Sequence, residues 1–230
     1  MDGSGRSGED ASKLRVVLCH DVPVMRSGLR AIIEAEADMA VVGESNNISD
    51  AQRLVDKLKP GVIVTHLRIS DVAELDAMRT IKNGPPGAKI LVLAYQTCKE
   101  YFSLAMRAGA DGYLTREAQP EEVVNAIRSV SRGQNYVNPT IVTLMVGTYI
   151  RGTRTVALED PYDGLSEREK EIMCLAVTGY TNKEIAEVLH LSKQTVHNHR
   201  ARLMDKLGFH DRLELLKYAI RRGCISAEDT

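Results

Sequence analysis

The sequence predicts two domains: an α/β domain with a doubly wound, five-stranded parallel sheet, followed by a small all-α domain. Between residues 14 and 131, five short apolar runs alternate with segments of helical spacing. This alternation is typical of a parallel sheet covered by helices on both faces. Beyond residue 164 the apolar segments have helical spacing, and short polar or glycine-containing turns separate them. A length of 230 residues fits two domains of ordinary size.

The five predicted strands are almost uninterrupted in their apolar character, because a strand buried on both faces has no polar side. They are LRVVLC (14–19), MAVVGE (39–44), GVIVTH (61–66), KILVLA (89–94) and GYLT (112–115). Helical spacing of apolar residues is clearest at two sets of positions: Met25, Leu29, Ile32 and Ile33, and Val123, Ala126, Ile127 and Val130.

Polar residues follow the first and third strands at the place where a doubly wound sheet binds ligands. That place is the crevice beyond the carboxyl ends of the strands, at the point where the strand order reverses. His20 and Asp21 follow the first strand, and His66 ends the third. The sequence therefore predicts that these three side chains share one crevice.

The predicted boundaries divide the chain into four segments. They are a disordered tail at 1–13, the α/β domain at 14–132, a linker at 133–163 that holds one helix (140–150), and the all-α domain at 164–226. Four helices are predicted in the last segment, at 166–177, 183–190, 193–207 and 212–222. Ser166 and Glu169 form a capping-box pattern in the first of them, and Asn182 and Ser192 are predicted to cap the second and third.

Composition argues against several classes of protein. Four widely spaced cysteines without a C-x-x-C pair indicate reduced thiols, and Cys174 is expected on the outer side of its helix. No apolar run approaches the ~20 residues of a membrane span, so we expect no membrane partner and a cytoplasmic protein. No pairing of a nucleophile with a base stands out, and we predict neither catalytic residues nor a bound cofactor.

The third helix of the all-α domain is basic and amphipathic, and a tight turn joins it to the second. Val196, His199, Leu203 and Leu207 share its apolar face, so that His199 is expected to pack in the core. The opposite face has short polar side chains surrounded by Lys and Arg, which suit the phosphate backbone of DNA. A helix-turn-helix presents its second helix to the major groove in this way.

The run LSEREKEIMCLAVTGYTNKEIAEVLHLSKQTVHNHRARLMDKLGFHDRLELLKYAIRRGCI resembles the LuxR-type helix-turn-helix over its full length. The resemblance implies that His197, Asn198 and Ala201 reach base edges, and at the first of these the family usually has Lys. Asn198 suits adenine and Ala201 suits a thymine methyl group. The residues predicted to bind double-stranded DNA are Lys183, Lys193, Gln194, Thr195, His197, Asn198, Ala201, Arg202 and Lys206.

Residues 14 to about 150 resemble the flavodoxin-like receiver of NarL/FixJ-type response regulators, on the stretches 23–33, 41–44, 89–93 and 108–114. The resemblance implies two acids that bind Mg²⁺, an Asp that accepts the phosphoryl group, a Ser or Thr, and a Lys. This sequence has His20, Asp21, His66, Ala94 and Arg116 at those five positions. Because only Asp21 is of the expected type, we predict an atypical receiver that is not phosphorylated. Asp71, the nearest other acid, falls in the following loop.

Three interpretations of this degenerate phosphorylation pocket stay open. With Arg116, the two histidines could favour an anionic small molecule. With Asp21, they could instead bind a transition metal such as zinc or nickel. The third interpretation is a vestigial pocket in a domain kept for dimerisation or for a protein partner.

The function predicted from these residues is a sequence-specific, homodimeric regulator of transcription that acts without aspartyl phosphorylation. The alternative is a signalling adaptor that works by binding a protein through the receiver. Leu216 and Ala219 in the last helix are interpreted either as a dimer contact or as part of the small helical core.

Overall fold

In a computed structural model of the chain, the described residues are 13–67, 72–84, 87–94, 99–152 and 161–221. The predicted tail lies outside them except for Lys13. The chain divides into two compact units. The first unit comprises Met1–Leu67, Asp76–Ala94 and Ala105–Asn138. The second unit comprises Arg68–Leu75, Tyr95–Leu104 and Pro139–Thr230. None of the described helices is long and apolar enough to cross a membrane.

The first unit is built on a parallel sheet of six strands. They are β1 (Leu14–Cys19), β2 (Met39–Ser45), β3 (Val62–His66), β4 (Lys89–Ala94), β5 (Gly112–Thr115) and β6 (Tyr136–Val137), in the spatial order β2-β1-β3-β4-β5-β6. All neighbouring pairs are parallel. The doubly wound fold is confirmed, with its order reversing between β1 and β3.

The predicted number of strands is wrong, because β6 adds a sixth at the edge beside β5. It is held beside β5 by hydrogen bonds from Tyr136 N to Asp111 O (3.2 Å) and, just beyond the strand, from Asn138 N to Tyr113 O (3.0 Å). Two residues make no apolar run of their own, so the pattern placed them in the linker. At Gly112, a Cβ would lie 2.8 Å from Val130 Cγ1 of the helix that covers β5 and 3.3 Å from Tyr136 O of β6, so glycine allows both to pack closely there.

Six helices are described between residues 23 and 152. They are α1 (Pro23–Glu34), α2 (Ile48–Leu58), α3 (Val72–Asn83), α4 (Lys99–Arg107), α5 (Pro120–Ser131) and α6 (Pro139–Gly152). The predicted apolar face of α5 is buried at all four positions, and Leu29 and Ile33 of α1 are buried as well. The expectation for Met25 is wrong, since it is 42% exposed in the first turn of α1. That turn begins beyond the carboxyl edge of the sheet, where the chain leaves β1.

The helical part of the second unit contains α7 (Glu167–Val177), α8 (Asn182–Leu189), α9 (Lys193–Leu207) and α10 (Arg212–Arg221), preceded by a short 3₁₀ helix (Pro161–Gly164). Ser166 and Ser192 cap α7 and α9 as predicted. The cap of α8 is Thr181 and not Asn182, because the Thr181 side chain accepts a hydrogen bond from Glu184 N. The predicted end of α10 at Gly223 lies outside the described residues.

Candidate functional site

The carboxyl ends of β1 and β3 bring two histidine rings together. The strands are neighbours, with Cys19 opposite Thr65, so His20 and His66 leave the same edge of the sheet. Their ring centroids are 4.4 Å apart and the rings are nearly parallel, at 25°. Both side chains are buried, with 3% and 1% exposure. The sequence predicted that these residues share one crevice, and the stacking of the two rings is a finding of the structure.

Asp21 completes a three-residue cluster at this edge. Its Oδ1 atom lies 3.3 Å from His20 Nδ1 and 3.3 Å from His66 Nε2, while 37% of its side chain is exposed. The three side chains each offer one ligand atom, and these atoms lie within 4.8 Å of one another. We call His20, Asp21 and His66 the edge cluster.

The electrostatic surroundings keep His20 neutral near pH 7. Burial, together with His66 and Arg26, lowers the pKa of His20 to about 4, although Asp21 acts in the opposite direction. Arg26 donates to the His20 carbonyl oxygen and to Glu44 Oε2 (2.9 Å), so its charge is balanced by a carboxylate. Glu44 also accepts a hydrogen bond from Arg30.

The remaining positions of the predicted pocket surround the edge cluster only in part. Ala94 is buried at the end of β4. Arg116 follows β5, where its backbone N donates to Ala94 O (2.9 Å) and its side chain is exposed. Asp71 lies outside the described residues.

The residues of the edge cluster do not fit Mg²⁺. This ion requires an octahedral set of hard oxygen ligands. The cluster offers the oxygens of one carboxylate, Asp21, beside two imidazole rings. The edge cluster therefore does not offer the set of oxygen ligands that Mg²⁺ requires.

A second candidate site is the outer face of α9, which packs on α7 and α8 through its inner face. Val196, Leu203 and Leu207 are buried there, whereas His199 is half-buried, with its Nδ1 atom inaccessible to solvent. Of the predicted DNA-binding residues, Thr195 is half-buried and the others are exposed: Lys183, Lys193, Gln194, His197, Asn198, Ala201, Arg202 and Lys206. Gln194 Nε2 donates to Asn198 Oδ1 across one helical turn (3.1 Å).

Two basic residues of α9 bind other parts of the same unit. Lys206 Nζ donates to Glu169 Oε2 (2.7 Å) and to Gly164 O (3.3 Å). Arg200 is half-buried and donates to Asn182 Oδ1 (2.6 Å), which joins α9 to the first residue of α8. The spacing of four residues from Val196 places Arg200 beside the packing face of α9.

Two expectations about the helices α7 to α10, which we call the helical unit, need correction or refinement. Cys174 is fully buried and not on an outer side, because α7 is the central helix, packed against α8, α9 and α10. Of the two residues interpreted as a dimer contact or as core, Ala219 is 0% exposed where α10 packs on α7, beside the buried Leu215, whereas Leu216 is half-buried. This burial favours the helical core over a dimer contact for that side of α10.

A receiver-type sheet combined with a helix-turn-helix defines the class of DNA-binding response regulators. Family models agree: "Response regulator receiver domain" matches residues 16–128, and "Bacterial regulatory proteins, luxR family" matches residues 163–219. Response regulator UvrY of Escherichia coli (strain K12) is 36% identical over 215 residues, 94% of this chain and 97% of UvrY. Oxygen regulatory protein NreC of Staphylococcus carnosus is 34% identical over 212 residues, 91% of this chain and 98% of NreC. The chain belongs to the LuxR family of response regulators.

Solved structures show the same fold. A LuxR-family two-component response regulator from Aurantimonas sp. SI85-9A1 is 31% identical with a TM-score of 0.55, over 60% of this chain and 99% of its own. RcsB of Salmonella enterica serovar Typhimurium, bound to promoter P1flhDC, is 23% identical with a TM-score of 0.63, over 90% and 98%. The relatives are regulators of transcription and not enzymes.

Proposed function

We propose that this response regulator binds specific promoter DNA as a homodimer, and that its receiver acts without aspartyl phosphorylation. The observation that carries the proposal is the residue at the end of β3. There the family has a carboxylate that accepts the phosphoryl group, whereas this chain has His66, buried and stacked on His20.

Phosphorylation of a receiver needs several chemical groups that His20, Asp21, His66, Ala94 and Arg116 do not provide together. An acyl phosphate forms on a carboxylate, and a metal ion must offset the charge of the phosphoryl oxygens. His66 provides no carboxylate, and the edge cluster does not suit Mg²⁺. Ala94 and Arg116 replace the hydroxyl and the ammonium groups that contact the phosphoryl oxygens in the family. Since positioning supplies most of the catalysis of phosphoryl transfer, these replacements act together.

DNA recognition is proposed for the outer face of α9 and the start of α8. His197, Asn198 and Ala201 are exposed on one side of α9, where they would meet base edges in a major groove. Lys183 is 78% exposed and suits a phosphate contact. The ammonium group of Lys206 is already bound to Glu169, so we expect it to contribute less to DNA affinity than Lys183.

The dimer is proposed from the requirements of DNA recognition. One helix-turn-helix reads only a few base pairs, and such domains usually bind paired half-sites about one helical turn apart. RcsB, which has a similar fold, has been solved as two dimers bound to two parallel DNAs. We propose residues 14–132 and 164–226 as the separate receiver and DNA-binding domains, with 133–163 as the linker.

The proposal is tested with phosphodonors. The full chain is incubated with acetyl phosphate and Mg²⁺, and separately with beryllofluoride, next to a response regulator that has a complete acidic pocket. We expect no gain of mass and no change in sedimentation or DNA affinity for this chain. A stoichiometric, acid-labile phosphoryl group would show that the receiver is a working phosphorylation domain.

A further inference from the structure

The edge cluster has the spacing of a metal site. Ligand atoms on one tetrahedral ion with bonds of about 2.1 Å are separated by about 3.4 Å. Asp21 Oδ1 lies 3.3 Å from His20 Nδ1 and from His66 Nε2. All three ligand atoms lie within 4.8 Å of one another. Because the lone pair of an imidazole nitrogen lies in the plane of its ring, binding of one ion by both histidines would require the stacked rings to rotate relative to each other.

His20 Nδ1 accepts a hydrogen bond from the backbone. The backbone N–H of Val22 donates to His20 Nδ1 (3.1 Å), so this nitrogen is an acceptor. The Asp21 oxygen beside it is an acceptor as well. The lone pair of His20 Nδ1 is directed at Val22 N–H in this structure, so an ion bound at Nδ1 would take the place of that hydrogen bond.

The charges near the cluster favour a cation over an anion. Asp21 is the acid within it, and the neighbouring Arg26 is held by Glu44, by Asn46 and by the His20 carbonyl oxygen. The Arg116 side chain, which would have to attract an anion, is exposed. The carboxylate of Asp21 would repel an anionic ligand and attract a cation.

We propose that His20, Asp21 and His66 bind one divalent metal ion of borderline softness, such as Zn²⁺, with at least one coordination position left for water. Two imidazoles and a carboxylate suit such an ion, whereas Mg²⁺ selects all-oxygen sites. The role of this ion as an input signal depends on the proposed function, because a receiver that is not phosphorylated needs another input. The existence of the binding site is inferred from the geometry of the edge cluster alone.

Metal binding is measured on the full chain without DNA. Equilibrium dialysis against Zn²⁺ alone should give one ion per chain, and an excess of Mg²⁺ should not displace it. His66→Asn should weaken binding by about 100-fold and Asp21→Asn by about 10-fold or more. His210→Asn, which changes an exposed histidine of the helical unit, is the matched control and should bind as the unchanged chain does. Co²⁺ should give a visible absorption band that His66→Asn abolishes.

Two results would overturn the inference: fewer than one Zn²⁺ per chain, or equal affinity in the unchanged chain and in His66→Asn. If His66→Asn fails to fold by circular dichroism, Asp21→Asn decides, because its side chain is partly exposed. Failure here leaves the proposed function standing as long as phosphodonors have no effect. Conversely, phosphorylation by acetyl phosphate would remove the proposed function and leave a measured zinc site intact.

Discussion

On the exposed face of α9, Gln194 and Asn198 form a hydrogen-bonded pair that orients one amide group. Gln194 Nε2 donates to Asn198 Oδ1 (3.1 Å). The second lone pair of that oxygen and the Asn198 amide hydrogens stay available, and adenine requires one acceptor and one donor in the major groove. At the scale of single residues, base readout is therefore expected to centre on Asn198, with Gln194 in a positioning role.

The first prediction separates base readout from phosphate binding. Asn198→Ala should cost about 1–3 kcal/mol on the specific site and relax the base preference. Lys183→Ala should weaken binding to specific and random DNA alike and reduce the salt dependence. Both are measured by fluorescence anisotropy on the two DNAs at several salt concentrations. Equal losses on both DNAs for Asn198→Ala would exclude it from base readout.

The second prediction concerns Glu169, whose side chain is only 3% exposed. Burial raises the pKa of this carboxyl group, but hydrogen bonds from Lys206 and Ser166 outweigh burial and leave the pKa below its ordinary value. The contribution of the carboxylate to stability is complete above about pH 4.3 and is lost as the pH falls through the lower, folded-state pKa.

Lys206→Met removes the cation and leaves the Glu169 carboxylate buried. We expect the free energy of unfolding to fall by about 1–3 kcal/mol at pH 7. The difference from the unchanged chain should shrink below pH 4, as Glu169 takes up a proton. Guanidinium denaturation at pH 7 and at acidic pH measures both effects, with Lys206→Arg as the control that keeps a cation. A difference that stays constant with pH would show that the ion pair is not the cause.

At the scale of elements, the helix-turn-helix depends on the caps of short helices. Helix α8 has only eight residues, so one cap is a large part of its stability. The third prediction is that Thr181→Ala lowers the free energy of unfolding by about 1 kcal/mol, whereas Thr181→Ser, which keeps the hydroxyl group, changes it little. Chemical denaturation monitored by circular dichroism distinguishes them. An equal loss in both variants would mean that the capping hydroxyl does not stabilise α8.

Elements that have a repeated pattern of apolar residues could be predicted from the sequence. Elements whose formation depends on a single tertiary contact could not. Five strands followed from apolar runs, and the placement of His20 and His66 at one edge of the sheet followed from the doubly wound fold. Strand β6 depends on two residues pairing with β5, and the sequence had no signal for it. The α8 cap was misplaced by one residue because Thr181 and Asn182 are both good caps. Burial of Cys174 depends on α7 having neighbours on several sides, which periodicity along one helix does not reveal.

At the scale of the whole molecule, a switch needs more than an acceptor for phosphate. The fourth prediction is that His66→Asp alone leaves DNA binding insensitive to acetyl phosphate. A magnesium-binding acid would still be missing at His20, a hydroxyl at Ala94, and a Lys at Arg116. A ligand shifts a conformational equilibrium only by its differential affinity for the two states, and these groups normally supply that difference.

The combination of His20→Asp, His66→Asp, Ala94→Thr and Arg116→Lys is the smallest set expected to take up Mg²⁺ and a phosphoryl group. Magnesium titration and phosphorylation of the single and the quadruple variant provide the comparison, followed by sedimentation and DNA affinity with and without donor. If His66→Asp alone gained phosphate-dependent DNA binding, the pocket would be a working switch that lacks only its acceptor.

The central claim, that this LuxR-family regulator recognises DNA without phosphorylation, is tested most directly by footprinting. The purified full chain is applied to genomic fragments with no phosphodonor present, over a range of salt concentrations, and then again with acetyl phosphate and Mg²⁺. We predict a discrete protected site that spans two half-sites, weakens as salt increases and is unchanged by the donor. Protection that appears only with the donor would contradict the claim. Absence of protection at every salt concentration, with and without the donor, would contradict it as well and would favour the protein-binding adaptor.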